Sequence, residues 1–114
     1  MLRQVLQSKI HKAKVTDADL NYIGSITIDS HLLELIDLWP GQKVTVVSNT
    51  SGARIETYVI AGDKHSGQIC INGAAALQIK KDEEVIIFSY GLTDRPIEAK
   101  CILVDQHNKF LNFL

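Results

Sequence analysis

The stretch SGARIETYVI carries Arg54 and Tyr58 four residues apart with Glu56 between them. On a β-strand that spacing puts all three on one face and Thr57 on the other. The planar fork of an arginine donates two parallel hydrogen bonds to a carboxylate. A tyrosine can deliver a proton at an apolar site, although its ordinary pKa of about 10 makes it a weak acid. The same residues also suit a surface arginine beside a tyrosine at a core edge. A basic group, Lys9, His11, Lys12 and Lys14, lies in LQSKIHKAKVT, where Lys9 and His11 share a face and Ile10 points the other way. It reads either as a solvated strand face or as a wall for an anion, since one histidine and one lysine two apart make no metal site. In INGAAAL, three alanines follow Asn72 and Gly73 and remove side-chain bulk. Backbone N–H groups at Gly73, Ala74 and Ala75 can then approach a ligand closely, as in anion cradles, though the run is equally a good helix start. Finally, YIGSITID places Gly24-Ser25 between apolar neighbours. That pair is either a bend or a place where the chain reacts with itself.

Short strands are the elements available to position these groups. KVTVVSN (43–49), RIETYVIAG (54–62), GQICING (67–73), EVIIFSYG (84–91) and AKCILVD (99–105) are apolar-rich runs that end at Gly, Asn or Asp. LQSKIHKAKVT (6–16) alternates as a strand with one basic face. NTSG (49–52) and GDKHSG (62–67) read as hairpin turns, and LWPGQK (38–43) as a type II turn. KKDEE (80–84) reads as a charged surface loop. Two places look helical: DSHLLELIDL, with Asp29 or Ser30 as N-cap, and NGAAALQI from Asn72 or Gly73. Five to seven short strands with two small helices predict an all-β barrel, because closure removes exposed edges. The apolar tail HNKFLNFL is either a last strand or a segment that packs against another subunit.

The 114 residues suit one domain, 1–114. A net charge of −1 and seven aromatic residues give no handle for polyanions, so no nucleic-acid partner is expected. Cys70 and Cys101 lie in strand-like runs without a second ligand nearby and read as buried, reduced core residues of a cytoplasmic protein. No apolar run approaches the roughly 20 residues of a membrane span. The N-terminal MLRQVLQSKIHKAK lacks the apolar region and cleavage site of a signal peptide.

The N-terminal pattern ML…SKIH…A.VT.A.LNYIGSITID, then G.RIETYVI, ICINGAAA and DEEVII, resembles the pyruvoyl-dependent L-aspartate 1-decarboxylases over residues 1 to about 104. The specific combination is Y-x-G-S at Tyr22–Ser25 with R-x-x-T-Y at Arg54–Tyr58 and N-G-A-A-A from Asn72. Ile55 stands where members commonly carry an aromatic residue, and Val47 falls where some carry tryptophan. Both concern pocket walls and leave the reaction class intact. The stretch after Tyr90 is the least alike, and no role is carried over to it.

The resemblance implies a small six-stranded double-psi β-barrel with a few short helices, assembled as a homotetramer with sites near subunit boundaries. It implies decarboxylation of L-aspartate to β-alanine, a precursor of pantothenate. Losing the α-carboxylate leaves an electron pair on Cα that no ordinary side chain accepts, so an electron sink is needed. The family makes it from the backbone, without pyridoxal phosphate or a metal. The Ser25 hydroxyl attacks the Gly24 carbonyl, the amide becomes an ester, and β-elimination cuts the chain to leave dehydroalanine, which hydrolyses to a pyruvoyl group. The products are a β chain, 1–24, and an α chain, 25–114. Gly24, lacking Cβ, tolerates a turned backbone there.

By the same resemblance Thr57 donates to the Gly24 carbonyl oxygen, and a bulge or twist would reconcile that role with its facing away from Tyr58. The substrate amine forms a Schiff base with the pyruvoyl ketone. Arg54 clamps a carboxylate, helped by Lys9 and the backbone of Gly73, Ala74 and Ala75. Tyr58 reprotonates Cα, and His11, Tyr22 and Asn72 line the pocket or stabilise the enolate. Some relatives mature unaided and others with an accessory protein. The competing expectations are an uncut, non-enzymatic small β-barrel that binds a ligand or single-stranded nucleic acid, and a pyridoxal-phosphate enzyme, which would need a far larger fold.

Overall fold

The computed structural model describes residues 1–114. In chain order it contains β1 (Arg3–Lys14), β2 (Asp17–Asp19), β3 (Ser25–Asp29), α1 (Ser30–Ile36), β4 (Lys43–Ser48) and β5 (Arg54–Gly62). There follow β6 (Ile69–Asn72), a 3-10 turn (Gly73–Leu77), β7 (Glu84–Thr93), β8 (Lys100–Val104) and β9 (Phe110–Phe113). Strands hold 51% of the residues, so the chain is all-β as expected. The strands pair in the order β2-β6-β3-β5-β4-β7-β1-β8-β9. Three of these pairs, β2–β6, β3–β5 and β1–β8, are parallel and the rest antiparallel. Parallel neighbours need crossover connections, so the chain is more than a row of hairpins.

The core is almost wholly aliphatic. Ile26, Ile28, Ile69, Ile71, Ile87, Ile10 and Ile102 are fully buried from five strands, and Leu32 and Ile36 cover them from α1. Branched side chains suit a pleated, half-buried surface, which is why these runs become strands. Helix α1 begins where Asp29 accepts a hydrogen bond from the His31 N–H, as the N-cap reading anticipates. It ends at Asp37 in the left-handed conformation, with φ 52°. No helix is long and apolar enough to cross a membrane.

The expectations fail at five places, each for a physical reason. SITID, read only as part of a bend, is β3, a central strand paired on both sides. Ser25, Ile26, Ile28 and Asp29 are all buried, so no in–out alternation marks it. GDKHSG is not a hairpin, because β5 and β6 lie on opposite sides of β3. It crosses the end of β3, where the buried Asp29 carboxylate accepts from the N–H groups of His65 and Gly67. In β1 a bulge between Ile10 and Ala13, with Lys12 at φ 61°, shifts the phase of the strand. Ala13 and Val15 therefore join Ile10 inside instead of sharing the face of Lys9 and His11. Cys70 is buried as expected, but Cys101 is only half-buried, since it sits beside Lys9 on an outward row of β8. The loop KKDEE hides Glu83, whose carboxylate accepts from Ser48 Oγ at 2.5 Å and Lys80 N at 2.6 Å. The tail forms β9 against β8, the first of its two readings.

Candidate active site

Ser25 opens β3 and faces Asn72, the last residue of the antiparallel neighbour β6. Ser25 is 1% exposed, and its hydroxyl donates to the Ile23 carbonyl at 2.8 Å and accepts from Asn72 Nδ2 at 3.0 Å. The same amide nitrogen donates to Thr27 Oγ1 at 3.0 Å, and the Cys70 thiol donates to Asn72 Oδ1 at 3.1 Å. All four side chains share one face because Ser25 pairs with Asn72 and Thr27 with Cys70. Burial, reinforced by the carboxylates of Asp17 and Asp19, pushes the Cys70 thiol pKa up, which keeps it protonated and a donor.

The backbone beside Ser25 is closely covered. Gly73 starts the 3-10 turn at φ 76°, and a Cβ there would fall 2.7 Å from Gly24 Cα and 2.9 Å from Gly24 N. Only glycine accepts both the positive φ and this approach. Gly24 itself has open space where a Cβ would project. Ala74 is exposed and Ala75 half-buried, while Tyr22 and Ile23 stand in solvent on the loop before Ser25.

Strand β5 lies along the other edge of β3. Ile26 pairs with Val59 in parallel, and stepping back along both strands puts Ser25 level with Tyr58 and Gly24 level with Thr57. Arg54, Glu56 and Tyr58 face outward together, and Thr57 faces inward with Ile55 and Val59. The β4–β5 register runs unbroken from Lys43–Tyr58 to Val47–Arg54, so of the bulge or twist anticipated at Thr57 there is no bulge.

A second group lies farther along the same outer face. The Arg54 guanidinium sits over the Phe88 ring, 5.5 Å from its centroid. Phe88 pairs with Lys9, and His11 follows on that row beside Leu103, its buried Nδ1 without a partner. Arg54 and Tyr58 are four strand residues apart, about 13 Å by strand geometry. One chain thus gathers Gly24, Ser25, Asn72, Gly73 and Tyr58 in one group and Lys9, His11 and Arg54 in another. A cleft of about 440 Å³ lined by Leu33, Glu34, Trp39 and Ala61 includes none of them.

Sequence reasoning missed Thr27, Cys70 and Phe88. Period-two alternation puts Cys70 on the face of Asn72, but their link to Ser25 depends on β3 being a strand. Chemically, the first group presents a hydroxyl whose oxygen carries a fixed N–H donor, one residue from a carbonyl within reach of a five-membered ring.

A family model described as aspartate decarboxylase matches residues 1–111 of the chain. The aspartate 1-decarboxylase of Listeria monocytogenes (strain EGD-e) is 51% identical over 112 residues, which cover 95% of this chain and 88% of the relative. That of Desulfitobacterium hafniense (strain DCB-2) is 52% identical over the same shares of both chains.

Proposed function

Because the chain belongs to the aspartate decarboxylase family, we propose that it works through a pyruvoyl group made from its own Ser25. The protein is a carboxy-lyase that converts L-aspartate to β-alanine and carbon dioxide, the β-alanine serving pantothenate synthesis. When formed, the group supplies the ketone that draws electrons from the substrate Cα. The residues around Ser25 fit it. Gly73 has no Cβ to fill the space beside Gly24, and Asn72 holds an N–H on the oxygen that must react.

The maturation proposed begins with Ser25 Oγ losing its proton and bonding to the Gly24 carbonyl carbon. The Gly24–Ser25 C–N bond then breaks, and the Ser25 nitrogen takes up a proton. Loss of the Ser25 Cα proton expels Oγ with Gly24 as a carboxylate and leaves dehydroalanine at position 25. Water replaces the nitrogen, which departs as ammonia, and a ketone remains. The chains are then 1–24 and 25–114. Thr57, on the row level with Gly24, serves the carbonyl oxygen in the first step.

For turnover, the Arg54 fork binds a substrate carboxylate, Lys9 adds positive charge, and the backbone of Gly73, Ala74 and Ala75 lines the approach. Tyr58, on the outer row level with Ser25, holds the proton for Cα. His11 and Tyr22 complete the walls. The roughly 13 Å between Arg54 and Tyr58 supports a site completed between copies of a homotetramer, with Arg54 and Lys9 reaching a neighbour's Ser25. Exposed Leu20, Tyr22, Ile23 and Leu77 around the first group suit such a contact. The enzyme is placed in the cytoplasm, and its maturation is open to an accessory protein.

The observation that carries this reading is the Asn72 N–H on Ser25 Oγ, with Gly24 held against Gly73. Intact mass spectrometry under denaturing conditions tests it. Wild-type chain should give two fragments, the larger lacking an amino terminus, and Ser25→Ala should stay whole and inactive. β-Alanine formation by Ser25→Ala sinks the mechanism.

A further inference from the structure

We propose that Cys70 and Thr27 are positioning residues for the chemistry of Ser25, fixing which way round the Asn72 amide faces and so keeping an N–H on Oγ. This rests on the self-processing reading above. An asparagine amide is nearly symmetric in shape, and its two ends are opposite in hydrogen-bonding sense. Turned over, Asn72 would offer Ser25 a carbonyl oxygen. The hydroxyl would then donate to Asn72, and an oxygen acquiring negative charge would face an acceptor.

Two contacts favour this orientation, and the Ser25 hydroxyl, already donating to the Ile23 carbonyl, would have to give up that bond if the amide turned over. The Cys70 thiol donates to Oδ1, and it stays a donor because it remains protonated: it is buried, and Asp17 lies opposite it on β2 with Asp19 two residues on. At the other end Thr27 Oγ1 accepts from Nδ2. Thr27 is itself fixed, since its methyl lies towards Gly62, where an added Cβ would come within 3.1 Å of it. Asn72 is 3% exposed, so water offers no alternative partner for either end.

The orientation matters because one atom carries developing charge twice. Oγ gains it on losing its proton to attack Gly24, and again on leaving Cβ as part of the Gly24 carboxylate. A hydrogen bond donated to the ionised form favours ionisation in both steps. Cys70 and Thr27 touch no reacting atom; they act through Asn72.

The test follows release of 1–24 and 25–114 over time, by intact mass, in wild type and four variants. Cys70→Ser and Thr27→Ser keep the donor and the acceptor, whereas Cys70→Ala and Thr27→Val remove them. Removing either contact should slow cleavage about tenfold, the scale of one lost hydrogen bond in a buried network. Serine at either position, which restores the lost donor or acceptor, should restore the rate, a pattern that looser packing alone does not produce. The two serine variants should cut within about twofold of wild type, well inside one hydrogen bond's worth. Wild-type rates in both Cys70→Ala and Thr27→Val overturn the proposal, as does a Cys70→Ser variant as slow as Cys70→Ala. Thr27→Val preserves shape, so the pair at position 27 decides the matter if Cys70→Ala does not fold. β-Alanine formation by a wild-type chain that stays whole defeats the Ser25 reading itself, a result distinct from equal rates among cutting variants.

Discussion

Gly73 and Gly24 touch backbone to backbone: a Cβ added to Gly73 would stand 2.7 Å from the Gly24 Cα. Gly73→Ala must therefore both adopt φ 76° and displace the chain at the bond to be cut. Gly52 has φ 78° with open space around it, so Gly52→Ala carries the conformational cost alone, on the order of 1 kcal/mol. Thermal melts should rank Gly73→Ala as clearly less stable than Gly52→Ala, and only Gly73→Ala should slow cleavage. Equal behaviour of the two would mean that the contact has no part in processing.

Arg54→Lys keeps the charge and loses the planar fork over Phe88. A hydrogen bond to a charged group contributes about 1.5–3 kcal/mol, so KM for aspartate should rise roughly 10- to 100-fold. Cleavage at Ser25 should be unaffected, because Arg54 takes no part in the proposed maturation steps. Steady-state kinetics on fully cleaved enzyme measure this, and an unchanged KM removes Arg54 from the substrate site.

Tyr58→Phe retains the ring on the outer row of β5 and deletes only the hydroxyl. If Tyr58 returns the proton to Cα, kcat should fall by about 10²- to 10⁴-fold. The chain should still mature, as mass spectrometry can verify on the same sample. Full turnover by the cleaved variant would assign the proton to another group.

Protonation of Glu83 should weaken the fold in acid. Hydrogen bonds from Ser48 and the Lys80 N–H hold its carboxyl below the ordinary glutamate range, against the opposing effect of burial. A depressed carboxyl stabilises the fold above its unfolded pKa, about 4.3, and that stabilisation disappears as pH falls through the folded value. Glu83→Gln should therefore melt lower than wild type at pH 7, by about 1–3 kcal/mol for the unmet partner. The gap should narrow below pH of about 4. A gap constant from pH 7 to pH 3 would show that charge at Glu83 is not its source.

Much of the site was legible because it depends on local stereochemistry. Arg54 and Tyr58 share a face because side chains alternate along any strand, wherever that strand ends up. Asp29 caps α1 because a short carboxylate before LLELI reaches the first free N–H groups. The bulge at Lys12 was not legible, since an inserted residue changes the phase without changing the residue types around it. Nor was the buried place of Glu83, which depends on Ser48 arriving from another strand.

By itself the sequence determined an all-β chain, the Gly24-Ser25 pair with its reactive types, the outward row of Arg54 and Tyr58, and membership of a recognisable family. Tertiary structure alone decided that SITID is a central strand, that Ser25 meets Asn72 across 47 positions, and that Thr27 and Cys70 hydrogen-bond to that amide. The reason is physical. Alternation and capping are set by neighbours along the chain, whereas strand pairing is chosen by burial summed over the whole molecule. A strand buried on both faces, such as β3, carries no local pattern that names its partners.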